Sequence, residues 1–202
     1  MSTGTALPFS QACENNKGSI LTALEQAFAD RRAVLELGSG SGQHATWFAD
    51  HMPWLRWQPT DLAANIPSLR PRCETYGGDN LLPVQALDVS QSPWPVLVPD
   101  AVFTANSLHI MPFSAVQGLF TALASRAAAD TVLAIYGPFN YGGAYTSESN
   151  ARFDQWLSQQ HPLSAIRHFE EVDGLAEDAG FCLQQDHAMP ANNRLLVWRK
   201  TA

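Results

Sequence analysis

The stretch Glu36-Leu37-Gly38-Ser39-Gly40-Ser41-Gly42-Gln43-His44 follows the apolar run that begins at Ala33 and leads into residues 43–51, whose pattern is helical and stops before Pro53. A short apolar run ending in glycines reads as a strand, so the stretch is a strand–turn–helix junction. Glycines at such a junction let the backbone approach a ligand closely and take dihedrals closed to other residues. A merely flexible turn is the bland alternative, and context weighs against it. A second strand, residues 54–59, ends at Asp61. That is about twenty residues downstream, where a carboxylate reaches ribose hydroxyls in nucleotide-binding α/β folds.

Outward from this junction, elements alternate. Residues 62–76 hold a helix that Pro67 and Pro71 must end or bend, residues 83–87 form a third strand ending in Asp88, and residues 100–105 a fourth ending in Asn106. A helix over 115–129 precedes a fifth strand, 131–136, closed by Gly137-Pro138. Helices near 148–160 and 172–179 follow, and residues 181–188 and 194–199 flank a turn as an antiparallel hairpin. A further amphipathic helix, 19–30, comes before the first strand. The pattern predicts one domain over 1–202. Its α/β fold is Rossmann-like, with a mostly parallel sheet, helices on both faces and a C-terminal antiparallel hairpin.

Composition narrows the function. The 202 residues carry 12 basic against 19 acidic side chains, a net charge of −7, and the only lysines are Lys17 and Lys200. Nucleic-acid affinity comes mostly from basic side chains that displace condensed cations, so nucleic acid is a poor partner. The three cysteines, Cys13, Cys73 and Cys182, are widely spaced and form no CxxC pair, which fits a reducing cytoplasm. Neither an export signal nor a membrane span is legible. His44 and His51 lie seven apart without a third ligand, so no metal is expected.

The glycine loop ends Gly42-Gln43-His44 and has no lysine, so it is not a P-loop. A dinucleotide fingerprint needs a small residue where Gln43 stands, which leaves a nicotinamide oxidoreductase as a weaker reading. Glu36, Asp61 and Asp88 fall at the carboxyl ends of three neighbouring strands, where open α/β sheets bind ligands. Three carboxylates suit a cation. S-adenosylmethionine (SAM) carries a sulfonium, an ammonium and a ribose diol without phosphate, and the pattern resembles that of class I methyltransferases, which implies a seven-stranded sheet with one antiparallel strand.

The resemblance extends further. Pro8-Phe9-Ser10, residues 14–21, Gly40-Ser41-Gly42-Gln43-His44, Trp57-Gln58-Pro59-Thr60-Asp61, Tyr136-Gly137-Pro138-Phe139, Ser147-Glu148-Ser149-Asn150 with Phe153-Asp154, and Met189-Pro190-Ala191-Asn192-Asn193 are similar to the DUF938 family, which includes the methyltransferase-like 26 proteins. One departure is Glu14-Asn15-Asn16, where related sequences carry Glu-Arg-Asn. The resemblance implies a SAM-dependent methyltransferase acting on an unidentified, small-molecule acceptor; a non-catalytic SAM-fold module is the alternative. It implies that Glu36, Gly38, Ser39, Gly40 and Gly42 line the methionine half of the cofactor. Asp61 and Leu62 then lie at the ribose, Asp88 and Val89 at the adenine, and Asn106 beneath the methyl group.

His109 is the one histidine placed near that methyl group, as a general base or as a packed structural residue. Asn106 and Tyr136 join it as catalytic candidates. Asn16, His109, Tyr136, Phe139, Asn140 and Tyr141 are candidates for the acceptor wall, with plain turn chemistry as the competing reading of the aromatic loop. Asn150 and Asp154, four apart on one helical face, either point at the acceptor or are solvated. The segment 14–17 either folds over the cofactor or caps a helix. Ser147 caps the next helix, and Asn192-Asn193 makes a turn.

Overall fold

A computed structural model describes residues 7–201. Its strands are β1 (Ala33–Leu37), β2 (Arg56–Asp61), β3 (Gln85–Ala86), β4 (Ala101–Ala105), β5 (Val132–Asn140), β6 (Arg167–His168), β7 (Phe181–Met189) and β8 (Asn193–Lys200). Its helices are α1 (Gln11–Ala27), α2 (Gln43–His51), α3 (Ile66–Tyr76), α4 (Phe113–Arg126), α5 (Glu148–Gln160) and α6 (Phe169–Asp178). The strands form one sheet in the order β3-β2-β1-β4-β5-β8-β7, with β6 paired to the far end of β5. All pairings are parallel except β5–β8 and β7–β8, so β8 alone runs against the rest. No described helix is long and apolar enough to cross a membrane.

Alternate residues of the central strands feed two cores. Leu35, Leu37, Val102, Leu133 and Ile135 pack with Val116, Leu119, Phe120 and Leu123 of α4 and Val172 of α6. Val34, Phe103, Ala134 and Tyr136 pack with Ile20 and Leu24 of α1 and Phe48 of α2. Full burial of such side chains is worth about 1.5–3 kcal/mol each, which is why these strands read as continuous apolar runs.

The structure departs from the sequence reading or sharpens it at α1, β3, β5 and α3. Helix α1 begins eight residues earlier than the apolar pattern indicates, because its first turns bury Asn16 where a hydrophobic period would show an apolar residue. Ser10 caps it, its hydroxyl accepting from Cys13 N–H at 3.3 Å. The residues 14–17 are therefore helical turns of α1. The third strand shrinks to Gln85–Ala86: Pro83 offers no donor, and the pairing upstream of it survives as a single bridge between Trp57 and Leu81. β5 runs through Gly137-Pro138 to Asn140, since Pro138 stands opposite Asn193 at the end of the β8 ladder and β6 pairs with the residues beyond. α3 keeps Pro71 inside it, at the loss of one main-chain bond, while Pro67 sits in its first turn, where no bond is lost.

Candidate functional site

The carboxyl ends of β1, β2 and β4 meet at the glycine turn. Gly38, Gly40 and Gly42 have φ of +70°, +55° and +76°, a region that costs other residues roughly 1–2 kcal/mol each. Two of them are also crowded: a Cβ on Gly38 would lie 2.7 Å from Ser107 Oγ, and one on Gly42 would lie 2.9 Å from Leu69 Cδ1. A Cβ on Gly40 would meet nothing within 4 Å, so that side of the turn faces open space. Ser39 is stitched to β2, its N–H donating to Thr60 O at 2.9 Å and its hydroxyl accepting from Thr60 N–H at 3.2 Å.

Asp61 supports the turn from below. Its Oδ2 accepts from Gly40 N–H at 2.7 Å, and its Oδ1 accepts from Leu62 N–H at 2.8 Å and Asn65 Nδ2 at 2.7 Å. Leu62 itself is 48% exposed at the rim. Asp88 follows β3 on the neighbouring edge and folds back onto Ser90, accepting from its N–H at 2.9 Å and its hydroxyl at 2.6 Å, while Val89 packs partly against the α4 core.

Glu36 departs from the expectation of an open carboxylate. It is 2% exposed, and Oε2 accepts from Trp57 Nε1 at 2.9 Å. Burial pushes its pKa up to about 7 against the lowering effect of Trp57 and Ser39, and the charge of Asp61 raises it further. Near neutrality both its acid and its anionic form are populated.

Helix α1 lies across this end of the sheet. Gln43 is the joint: its Oε1 accepts from Ser10 N–H at 2.6 Å and Ser41 Oγ at 2.9 Å, and its Nε2 donates to Ser10 O at 3.2 Å and Glu14 Oε1 at 2.8 Å. Arg72 of α3 adds a second tie, donating from Nε to Ser41 O and from Nη2 to Pro8 O. Asn16 is buried with its Oδ1 2.7 Å from His44 Nε2. Burial takes the pKa of His44 down to about 4, so the imidazole is neutral and its Nε2–H donates to Asn16. Cys13 lies close enough to Glu36 and Ser41 to feel both, and burial raises its pKa. Sequence reasoning singled out neither Cys13 nor Gln43; the side chain that directly follows the third glycine was the available signal.

The β4 end contributes Asn106, held at φ +57° with its N–H on Tyr136 O at 2.8 Å. Tyr136 is buried on the α1 face, and its hydroxyl accepts from Asn193 Nδ2 at 3.0 Å, so the 189–193 turn delivers a side chain to the site. His109 is buried edge-on against Phe153, with ring centroids 5.4 Å apart. Desolvation, helped by the Arg167 charge, takes its pKa down to about 4. It is a weak base at neutral pH, which favours the packing role over the general base.

The remaining candidates do not share one wall. Phe139 is 1% exposed in the α4/α6 core, so its ring offers a ligand no surface. Tyr141 stacks on Phe169 and donates to Asp186 Oδ2 at 3.0 Å, which commits it to β7. Asn150 is buried rather than solvated and donates to Thr146 Oγ1 and Asn192 O. Asn140 and Asp154 do come together, on a cavity beyond the β5 end.

A family model described as "Protein of unknown function (DUF938)" matches residues 7–200. Among solved structures, the chain is similar to an O-methyltransferase family 2 protein from Planctomyces limnophilus in complex with apigenin, with 17% identity over 94% of this chain and 58% of that one and a TM-score of 0.81. It is also similar to human N-acetylserotonin methyltransferase in complex with SAM, with 16% identity over 95% and 53% and a TM-score of 0.78. The mitomycin 7-O-methyltransferase MmcR matches with 16% identity over 94% and 54% and a TM-score of 0.80. The chain spans just over half the length of these proteins. At such identities the likeness is one of fold, the Rossmann-like fold of class I methyltransferases.

Proposed function

The chain belongs to the DUF938 family, and we propose that it is a methyltransferase that takes SAM at the 38–42 turn and passes its methyl group to a small-molecule acceptor. One observation carries this reading: an open main-chain turn at the carboxyl edge of the sheet, with Glu36 beneath it and Asp61 pinned to Gly40 N–H. The residues fit that cofactor. Space at Gly40 admits a ligand against the backbone, and the nearby cations are already engaged, Arg72 with Ser41 O and Pro8 O and Lys17 with Glu14 Oε2 at 2.6 Å. A pyrophosphate would find little counter-charge; a cationic nucleoside meets two acids.

When bound, SAM supplies a methyl group activated by a sulfonium. The chain supplies placement and dryness. Asp61 and the exposed Leu62 hold the ribose side, Asp88 and Val89 flank the adenine, and Glu36 faces the ammonium end. Helix α1, tied down through Gln43 and Asn16, keeps water from the methionine half. Asn106 orients the acceptor, and buried Tyr136 and neutral His109 brace the turn behind it. Alignment and exclusion of water account for most of the rate in such a transfer.

Thermal unfolding with SAM and, separately, NAD(P)H tests the cofactor: SAM at about 100-fold excess over its dissociation constant stabilises by about 2.7 kcal/mol, and NAD(P)H does not. Isotopically labelled SAM incubated with a metabolite extract tests turnover. Stabilisation without any labelled product would favour a non-catalytic module.

A further inference from the structure

A cavity of about 270 Å³ opens beyond the end of β5, lined by Asn140, Tyr145, Asp154, Arg167, His168 and Glu171. It is distinct from the glycine turn but shares a wall with the turn that follows β4. Ala165 N–H donates to His109 O at 3.0 Å, Arg167 Nε donates to Leu108 O at 2.9 Å, and Phe153, beside Asp154, packs on the His109 ring.

Two features define what this cavity accepts. Asn140 is 5% exposed, and its Oδ1 is buried without a hydrogen-bond partner, an arrangement that folded proteins rarely leave standing and that calls for a donor. The charged lining is Asp154 and Glu171 against Arg167, an excess of one negative charge. Two of the three guanidinium nitrogens are held by the main chain, Nε on Leu108 O and Nη2 on Met111 O and Leu163 O. Asp154 already accepts from Ile166 N–H at 2.6 Å and from the Tyr145 hydroxyl at 2.8 Å, which fixes its carboxylate at the rim. An anion would meet two carboxylates; a cation that donates hydrogen bonds restores neutrality and satisfies the orphaned amide.

We propose that this cavity binds the protonated amine of a small molecule, its N–H groups on Asn140 Oδ1 and its charge between Asp154 and Glu171. That the molecule is the methyl acceptor rests on the methyltransferase reading above. The volume lies below the ~300–1,000 Å³ of pockets that enclose whole drug-sized ligands, so the cavity holds a head group.

The test uses the full chain. Butylamine, benzylamine, phenethylamine and tyramine are titrated calorimetrically beside their N-acetyl amides and matched carboxylic acids, with SAM affinity measured in parallel. At least one amine is expected to bind about tenfold tighter than its amide, a factor read directly from the dissociation constants. Glu171→Gln, on an exposed helical position, removes that preference. Asn140→Asp strengthens amine binding several-fold, and both variants leave SAM affinity unchanged. SAM binding with no amine preferred over its amide overturns the proposal. Amine preference without SAM binding upholds the cavity's chemistry and overturns the methyl-transfer reading instead.

Discussion

Replacing Glu36 with glutamine should make the protein more sensitive to acid, although the substitution removes a titrating acid. The wild-type response is a balance of three buried groups. His44 and His109 have folded pKa values of about 4 against 6.5 for an ordinary histidine. The unfolded chain therefore takes up their protons first, and stability is lost as pH falls from about 6.5 toward 4. Glu36 is the reverse: its folded value of about 7 exceeds 4.5, so the folded state takes up its proton first, and the stability it adds is lost as pH rises through 7. Between pH 7 and pH 5 each histidine removes about 2 kcal/mol, and Glu36 returns about 2 kcal/mol. In Glu36→Gln the return is gone. The extra loss of about 2 kcal/mol lowers the unfolding midpoint at pH 5 by a further 4–8 °C or so, at roughly 2–4 °C per kcal/mol for a chain of this size. Exposed carboxylates whose pKa values are lowered by their partners, such as Glu14 and Asp130, act alike in both proteins and cancel in the difference. The measurement is thermal unfolding of both proteins across pH 5 to 7. Parallel midpoint curves would refute the argument, because Glu36 would then titrate alike in folded and unfolded chains.

Other outcomes follow from the same geometry. If Glu36 faces the ammonium of SAM, binding draws off its proton: calorimetry near pH 6 in buffers of different ionisation enthalpy should show proton release, absent in Glu36→Gln, with affinity rising up to pH 7 and level above it. Gly40→Ala and Gly42→Ala should separate binding from folding. Both incur left-handed strain of about 1–2 kcal/mol, but only the Gly42 variant also drives a methyl group to 2.9 Å from Leu69. Thermal melts should therefore fall further for Gly42→Ala, while SAM titration should show the larger affinity loss relative to stability for Gly40→Ala. Gln43→Leu leaves Ser10 and Glu14 without their amide partner, destabilising by about 1–3 kcal/mol and accelerating hydrogen exchange in the first turns of α1 more than in β5; uniform acceleration would contradict the joint assigned to Gln43.

The fold was legible where burial is complete. β1, β4 and the first half of β5 have apolar side chains on both faces, so their runs are continuous and bounded by glycine or an acid. Helix α2 and the terminal hairpin were placed to within a residue or two as well, although most of β7 is exposed or half-buried. Reading failed where polar side chains do the packing. The first turns of α1 are held by Asn16, Glu14 and Ser10, and no hydrophobic period records a helix that docks through amides. The edge strand β3 failed for the opposite reason: residues 83–87 have strand composition, but Pro83 breaks the ladder and its neighbours are exposed.

The candidate site follows a related rule. In a strand buried on both faces, a polar residue near the carboxyl end interrupts an otherwise apolar run, and its desolvation is tolerated only where a partner or a ligand offsets it. Glu36, Asp61 and Tyr136 are such interruptions, and each was found in the sequence because its strand was correctly delimited there. Asn140 obeys the same rule but was assigned to a loop, because the fifth strand was closed at Gly137-Pro138. Once β5 is seen to continue through the proline, supported by β6 on one side and Asn193 on the other, Asn140 becomes the last residue of a fully buried strand with an unpaired amide oxygen. The strand boundary therefore decides how the residue is understood: in a loop its amide needs no account, whereas on a buried strand its empty acceptor requires a partner, and the cavity it lines is where that partner has room.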